Sequence, residues 1–190
     1  MTDADVVVEV ISQDAIASRV AELGAAISAD YAGRTPMVVA VMTGALWFLA
    51  DLVRHLDLPH EIDFLMLNRF GEGGRIRIAT DTSQPLTGRD VIIVEDIVDT
   101  GLSLTVLRRM IQDREPTSLS VVTLLDKATR RLVDVPLEYR GFEVGDEYLV
   151  GYGLDHRHKL RNLRSIYAVL DFDALQSNPD VVDRLARHRA

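Results

Sequence analysis

The chain has 190 residues, a formal net charge of -8 and no cysteine, enough sequence for one domain with a substantial core. Without cysteine there are no disulfides, thiolate nucleophiles or Cys-ligated zinc, and the acidic balance argues against nucleic acid as the main partner, since phosphate contacts supply most of that affinity. The acidic start MTDADVVVEV lacks the basic opening of a signal peptide, and no apolar run approaches the roughly 18 residues of a membrane helix. A cytoplasmic protein with neither a nucleic-acid nor a membrane partner is therefore expected.

Residues 13–30 place Ile16, Val20, Leu23 and Ile27 at helical spacing, with Ser12 as N-cap. MVVAVM (37–42) is a continuous apolar run of strand length, and ALWFLADLVRHL (45–56) reads as a helix. IDFLML (62–67) is the next strand, NRFGEGG (68–74) a glycine-rich turn, RIRIAT (75–80) a half-exposed strand and 81–90 a loop. VIIVE (91–95) reads as a buried strand. It is followed by a helix over 102–113 with Leu102, Val106 and Met110 on one side. Further strands are expected at 119–125, 147–154 and 164–170, with a short polar helix after Asn178. Apolar strands alternating with helices predict an α/β fold with a mainly parallel sheet flanked by helices.

The stretch VIIVEDIVDTGLSL (91–104) carries the chemistry. Ligands of open α/β sheets bind beyond the carboxyl ends of the strands, and Glu95 and Asp96 are expected at such an end. The loop Asp99-Thr100-Gly101-Leu102-Ser103 then opens a helix and offers consecutive N–H groups, two hydroxyls and a glycine free to take positive φ. These parts make a nest for a phosphate, while neighbouring carboxylates accept hydrogen bonds from adjacent hydroxyls. A sugar carrying a terminal phosphate satisfies both halves. The plainer reading is a solvated strand end with an Asp capping the next helix, and the short window alone does not separate the two. A phospho-receiver reading is set aside, because there the acidic pair lies in the first strand, whereas ninety residues precede it here.

VIIVEDIVDTGLSL resembles the phosphoribosyl pyrophosphate (PRPP) signature of the type I phosphoribosyltransferases, and its Glu-Asp form with Asp99 following is similar to the 6-oxopurine branch, the hypoxanthine-guanine phosphoribosyltransferases. MVVAVMTGALWFLADLVRHL (37–56) resembles that family's pyrophosphate-loop region, and 114–163 its second half; together the likeness spans roughly 8–170. It implies one phosphoribosyltransferase domain over 1–190, with a core and a small hood built from the N- and C-terminal segments. The implied substrates are PRPP and a purine base, the cofactor Mg²⁺, and the assembly a homodimer or homotetramer. Carried over by position, Glu95 and Asp96 would hold the ribose hydroxyls, in part through magnesium, and Asp99 would be the general base near purine N7. The Asp99–Ser103 loop would cradle the 5′-phosphate. Lys127 would donate to the purine 6-oxygen, Tyr148 would stack on the base and the Leu149 backbone would meet its edge. Asp155 would lie beside a magnesium ion, and Arg161, with the backbone of Met42-Thr43-Gly44-Ala45, would bind pyrophosphate.

The sequence departs from the family pattern in four places. Thr43 stands where a Lys is usual, in a loop for which a non-proline cis bond is one option. Leu102 replaces a usually polar residue, and Tyr148 a usual Phe. The mobile catalytic loop, here within 68–83, is shorter and differently composed; Phe70 is a candidate for its aromatic position, and Arg69, Arg75 and Arg77 for new phosphate contacts. The alternatives are a xanthine-preferring enzyme, a PRPP- or nucleotide-sensing regulator, and a catalytically weak partner subunit.

Overall fold

The computed structural model describes residues 6–70 and 75–188. In chain order the elements are β1 (Val7–Ile11), α1 (Gln13–Asp30), β2 (Met37–Met42), α2 (Leu46–Leu52), β3 (Glu61–Phe70) and β4 (Arg75–Thr80). They continue with β5 (Asp90–Val98), α3 (Leu102–Gln112), β6 (Ser118–Asp126), β7 (Tyr139–Glu143), β8 (Leu149–Val150), β9 (Ile166–Val169), α4 (Phe172–Ser177) and α5 (Pro179–His188). The chain divides into two units, Val20–Gly145 and a second made of Met1–Arg19 with Asp146–Ala190.

The larger unit holds a six-stranded sheet in the order β4-β3-β2-β5-β6-β7. Every neighbouring pair is parallel except β3 and β4, which run antiparallel. Both faces of the central strands are buried, as a parallel sheet flanked by helices requires. On one face Val39, Val91, Ile93 and Val121 pack with Leu104, Leu107 and Ile111 of α3. On the other, Val38, Ala40, Ile92 and Val94 are equally buried, and α2 lies against β2 and β5. Each such side chain contributes about 1.5–3 kcal/mol by leaving water. The expected α/β architecture is thus present.

Several boundaries differ from the sequence reading. The buried side of α3 is Leu104, Leu107 and Ile111, while Leu102 and Val106 are exposed; two faces of this helix meet the same apolar period, and the sheet beneath selects one. Strand β3 runs on through Asn68–Phe70, expected as turn, because it pairs with β4. The rest of that turn, 71–74, and the Arg69, Phe70 and Arg75 side chains lie outside the described residues. Strand β5 continues to Val98, beyond the predicted end at Glu95. β1, β7 and α4 were not anticipated, and of the predicted strand 147–154 only Leu149–Val150 pairs as one.

In the smaller unit, β1, β9 and β8 form an antiparallel three-stranded sheet. Its core joins Val6, Val7, Val150, Leu160, Leu163 and Tyr167 to Leu175 of α4 and Val181, Val182 and Leu185 of α5. The Ser165 hydroxyl accepts the Gln13 N–H at 3.1 Å, and Ser12 caps α1 by accepting from the Ala15 N–H at 3.2 Å. No helix among the described residues is long and apolar enough to cross a membrane.

Between β4 and β5 the chain is fixed by a buried acid of β3. Asp63 Oδ2 accepts from the Ser83 N–H (2.7 Å), the Ser83 hydroxyl (3.0 Å) and the Gln84 N–H (3.2 Å), and Oδ1 from the Phe64 N–H (2.8 Å). Beside it the Arg114 guanidinium grips Asp81 through both oxygens, at 2.7 and 2.8 Å, and holds that carboxyl below its ordinary pKa. Replacing Asp63 by Ala leaves these donors without an acceptor. The expected cost is about 2–4 kcal/mol, read as a lower urea midpoint with unchanged m-value.

Candidate active site

The strand order places β2 and β5 side by side while their successors β3 and β6 lie on opposite sides, so the winding of the chain reverses between them. Such a switch point, outside the carboxyl ends, is where α/β sheets bind ligands. Strand β5 pairs with β2 only through Val94 but with β6 through Val98. The segment Glu95–Val98 therefore runs on past the last pair with β2, and its side toward β2 is free of ladder bonds. A cavity of about 480 Å³ opens there, lined by Glu95, Asp99, Thr100, Gly101, Ser103 and Arg130, with Val41, Leu67, Ile97, Val98 and Leu104 as apolar wall.

The pleat sends Glu95 and Asp96 to opposite faces. Glu95 is buried against the cavity, where loss of water and then the Asp96 charge push its carboxyl well above the ordinary range. Asp96 turns instead toward the loop after β2, and its Oδ2 occupies the space a Cβ on Gly44 would need. Its Oδ1 accepts from the Ile97 N–H at 2.9 Å. The Met42–Thr43 peptide bond in that loop is cis. Only glycine at 44 lets the loop approach this carboxylate so closely. Thr43 itself is exposed.

Gly101, at φ 82°, starts α3 in the left-handed region, and a Cβ there would stand 2.8 Å from the Val133 carbonyl. The first intrahelical bond runs from the Thr105 N–H to the Gly101 carbonyl at 2.9 Å. The N–H groups of the preceding turn lack intrahelical acceptors by geometry and face the anion-favouring end of the helix. The Thr100 carbonyl accepts from the Leu132 N–H at 3.0 Å, tying the loop to the segment after β6. The Leu102 side chain is exposed and stands outside the cavity lining.

Asp99 is not open to its surroundings as an isolated acid. Its Oδ1 lies 2.8 Å from Arg130 Nε as an ion pair, out of line with the N–H, so that buried oxygen accepts no hydrogen bond. Arg130 sits on the 3₁₀ turn Ala128–Arg130 directly after Lys127. Lys127 is buried, and its N–H donates to the Val98 carbonyl at 2.9 Å, pinning it beside the end of β5. The sequence reading missed Arg130; its signal is the three-residue spacing from Lys127, which a 3₁₀ turn places on one edge. Arg131 closes the turn by pairing with the buried Asp126, which also meets Arg140 at 3.5 Å.

The smaller unit gathers the remaining candidates on the turns 151–163, where Tyr152, Arg157, His158 and Leu160 all take positive φ. Asp155 Oδ1 pairs with Arg161 at 2.6 Å, and its Oδ2 accepts from the His158 N–H at 2.8 Å. Arg161 also donates to the Gly153 carbonyl at 2.5 Å. The Tyr148 hydroxyl donates to the Asp155 carbonyl at 2.9 Å while its ring stays 41% exposed, and burial, then the Asp155 charge, raise its pKa. Leu149 is buried in β8. Burial, with the Arg157 charge, keeps the neighbouring His156 below its ordinary pKa.

Comparison with known proteins gives this arrangement its relatives. A family model described as a phosphoribosyl transferase domain matches residues 8–157. The hypoxanthine-guanine phosphoribosyltransferase of Streptococcus thermophilus is 40% identical over 167 residues, spanning 86% of this chain and 93% of that protein. The hypoxanthine phosphoribosyltransferase of Salmonella typhimurium is 41% identical over 173 residues, spanning 87% and 97%. A crystal structure of a hypoxanthine-guanine phosphoribosyltransferase from Bacillus anthracis matches with a TM-score of 0.83 at 39% identity, covering 85% of this chain and 98% of that one.

Glu95 yields a test that needs no ligand. Because its folded pKa is raised, the group lends stability below the ordinary carboxylate range and withdraws it as pH rises through the folded value. Glu95→Gln is expected to melt about 2–4 °C above wild type at mildly alkaline pH. The gap should close on acidification, as followed by thermal melts across pH.

Proposed function

This chain belongs to the phosphoribosyl transferase domain family, and on that premise we propose that it transfers the 5-phosphoribosyl group of PRPP to hypoxanthine or guanine, yielding IMP or GMP and pyrophosphate in purine salvage. The observation that carries the reading is the convergence of Glu95, Asp99 and the first turn of α3 on one cavity at the switch point. It offers a polyol and its 5′-phosphate acceptors and donors in the order a ribose phosphate needs. We read residues 1–190 as a single domain that works in the cytoplasm as a homodimer or homotetramer on small-molecule substrates.

In this reading the N–H groups of Gly101–Ser103 and the Thr100 and Ser103 hydroxyls hold the 5′-phosphate. Glu95 and Asp96 accept from the ribose hydroxyls. Asp99 takes the proton from purine N7 as N9 attacks C1 and pyrophosphate leaves, which requires the carboxylate to turn from Arg130. Lys127 donates to the 6-oxygen; an amino group there would leave the buried ammonium facing another donor, which supports selectivity for oxopurines. Tyr148 offers a ring face to the base, and the Leu149 backbone its edge. Arg161, with the backbone around Thr43 and Gly44, meets the pyrophosphate, whose charge competes with Asp155 for the guanidinium.

The donor set fits Mg²⁺. Glu95 and Asp96 are hard oxygen ligands. That suits an ion which takes one or two carboxylates and completes its shell with water and phosphate oxygens. A cation would also relieve the buried Glu95 charge. Glu95 and Asp96 would hold it, with Asp155 beside a second position, and when bound it offsets the negative charge of the pyrophosphate.

The reading is tested by following absorbance as PRPP and Mg²⁺ are supplied with hypoxanthine, guanine, xanthine or adenine in separate reactions. Turnover is expected with the first two and not with adenine; equal use of adenine would remove the role given to Lys127. PRPP binding without turnover of any base would favour a sensor. Asp99→Asn is expected to lower kcat by about 10²–10⁴-fold while PRPP binding persists.

A further inference from the structure

Beyond residue 157, where the family model stops, the chain adds α4 and α5, and α4 begins at an aromatic ring that touches the candidate base-stacking side chain. Phe172 meets Tyr148 edge to face, with centroids 5.0 Å apart and planes at 70°. His156 completes the group, 6.0 Å from Tyr148 at 83° and 5.8 Å from Phe172 at 90°. All three pairs have the T-shaped geometry that sets a ring's positive edge against a negative face. His156 is 4% exposed and its Nε2 has no hydrogen-bond partner, so it serves here as a packed ring.

The Phe172 side chain is 42% exposed, but the chain on both sides of it is held. The Asp171 carboxylate caps α4 by accepting from the Ala174 N–H at 2.8 Å, and Leu175, one turn on, is buried in the core with Val181 and Leu185. Just before it, the Leu170 N–H donates to the Val6 carbonyl at 2.8 Å. With its hydroxyl bound to the Asp155 carbonyl and its ring in T-shaped contact with two neighbours, Tyr148 cannot swing without breaking several contacts.

We propose that Phe172 is a positioning residue for the purine: through its edge contact with Tyr148 and His156, the C-terminal segment fixes the ring on which the base stacks. This rests on the phosphoribosyltransferase reading of the site. A ring already fixed in place loses less freedom when the base arrives. Phe172 thus acts on base affinity and not on PRPP or the chemical step.

The test measures KM for hypoxanthine, KM for PRPP, kcat and melting temperature for wild type, Phe172→Ala, Phe172→Leu and Phe172→Tyr. Ala and Leu are expected to raise KM for hypoxanthine about three- to tenfold, with KM for PRPP and kcat within about twofold; Tyr, which restores the ring edge, stays near wild type. Leu keeps most of the volume and decides the matter if the Ala variant does not fold. An unchanged KM for hypoxanthine in the Leu variant, a parallel rise in both KM values, or failure of Tyr to restore affinity would overturn the assignment while wild-type turnover stands. A wild type inactive on every purine would overturn the function and this assignment together.

Discussion

The structure turns on the mismatch in length between β2 and β5. Both are buried, parallel and paired, but β2 leaves the ladder at Ala40↔Val94 while β5 continues beside β6 to Val98. Everything chemically distinctive in the larger unit follows from that overhang. It exposes one side of Glu95–Val98 at the switch point and sends Glu95 into a cavity. It also turns Asp96 toward Gly44 and delivers the chain to Asp99 at the foot of α3. A strand that stopped at Glu95 would leave both acids in water, where neither would be desolvated. The raised pKa of Glu95 is the energetic trace of this geometry.

Two of the proposed site acids are ion-paired within their own unit. Asp99 leans on Arg130, and Asp155 on Arg161. The first pair is nearly half exposed, and such pairs contribute about 0–1 kcal/mol, so a phosphate or a base can displace one partner at little cost. The Asp126–Arg131 pair differs, since Asp126 is 3% exposed and leaving it unpaired would strand a charge in the interior. That pair belongs to the scaffold beneath Gly101, whereas the half-exposed Asp99–Arg130 pair is cheap to exchange. Burial thus separates a structural ion pair from pairs proposed to exchange with ligand, although all are Asp–Arg.

The sequence made the sheet legible because parallel strands buried on both faces leave continuous apolar runs, as in MVVAVM and VIIV. Its phosphate nest was equally plain, since Gly101 and two hydroxyl residues announce a particular backbone. The strand's true end was not, because pairing with a neighbour, and not the polarity of Glu95 and Asp96, carries β5 to Val98. For the same reason β7, polar and at the sheet's edge, gave no periodic signal. The opposed directions of Glu95 and Asp96 were implicit in the strand period and lost when they were read as a strand end. Arg130 escaped notice because a surface arginine has no local signature; a short turn after Lys127 gives it a place. Phe172 was hidden likewise, its partners lying 16 and 24 positions earlier in sequence.

The departures from the family pattern fall into two kinds, and the backbone explains the difference. Around Thr43 and Leu102 the proposed contacts come from main-chain N–H groups, whose directions are set by the close approach of Gly44 to Asp96, by Gly101 and by the first turn of α3. Side chains at those positions are exposed and can change freely, so Thr for Lys and Leu for a polar residue leave the donors in place. For the purine the proposed contacts are the Lys127 and Tyr148 side chains and the Leu149 backbone, and the first two depend on side-chain direction, which no ladder fixes. There a change must be matched by another contact. Tyr148 brings a hydroxyl, and the Asp155 carbonyl receives it at 2.9 Å; Phe172 supplies the edge that holds the ring. The proposed phosphate contacts thus rest on secondary structure and tolerate substitution, while the proposed base contacts rest on side-chain packing, where selectivity can drift.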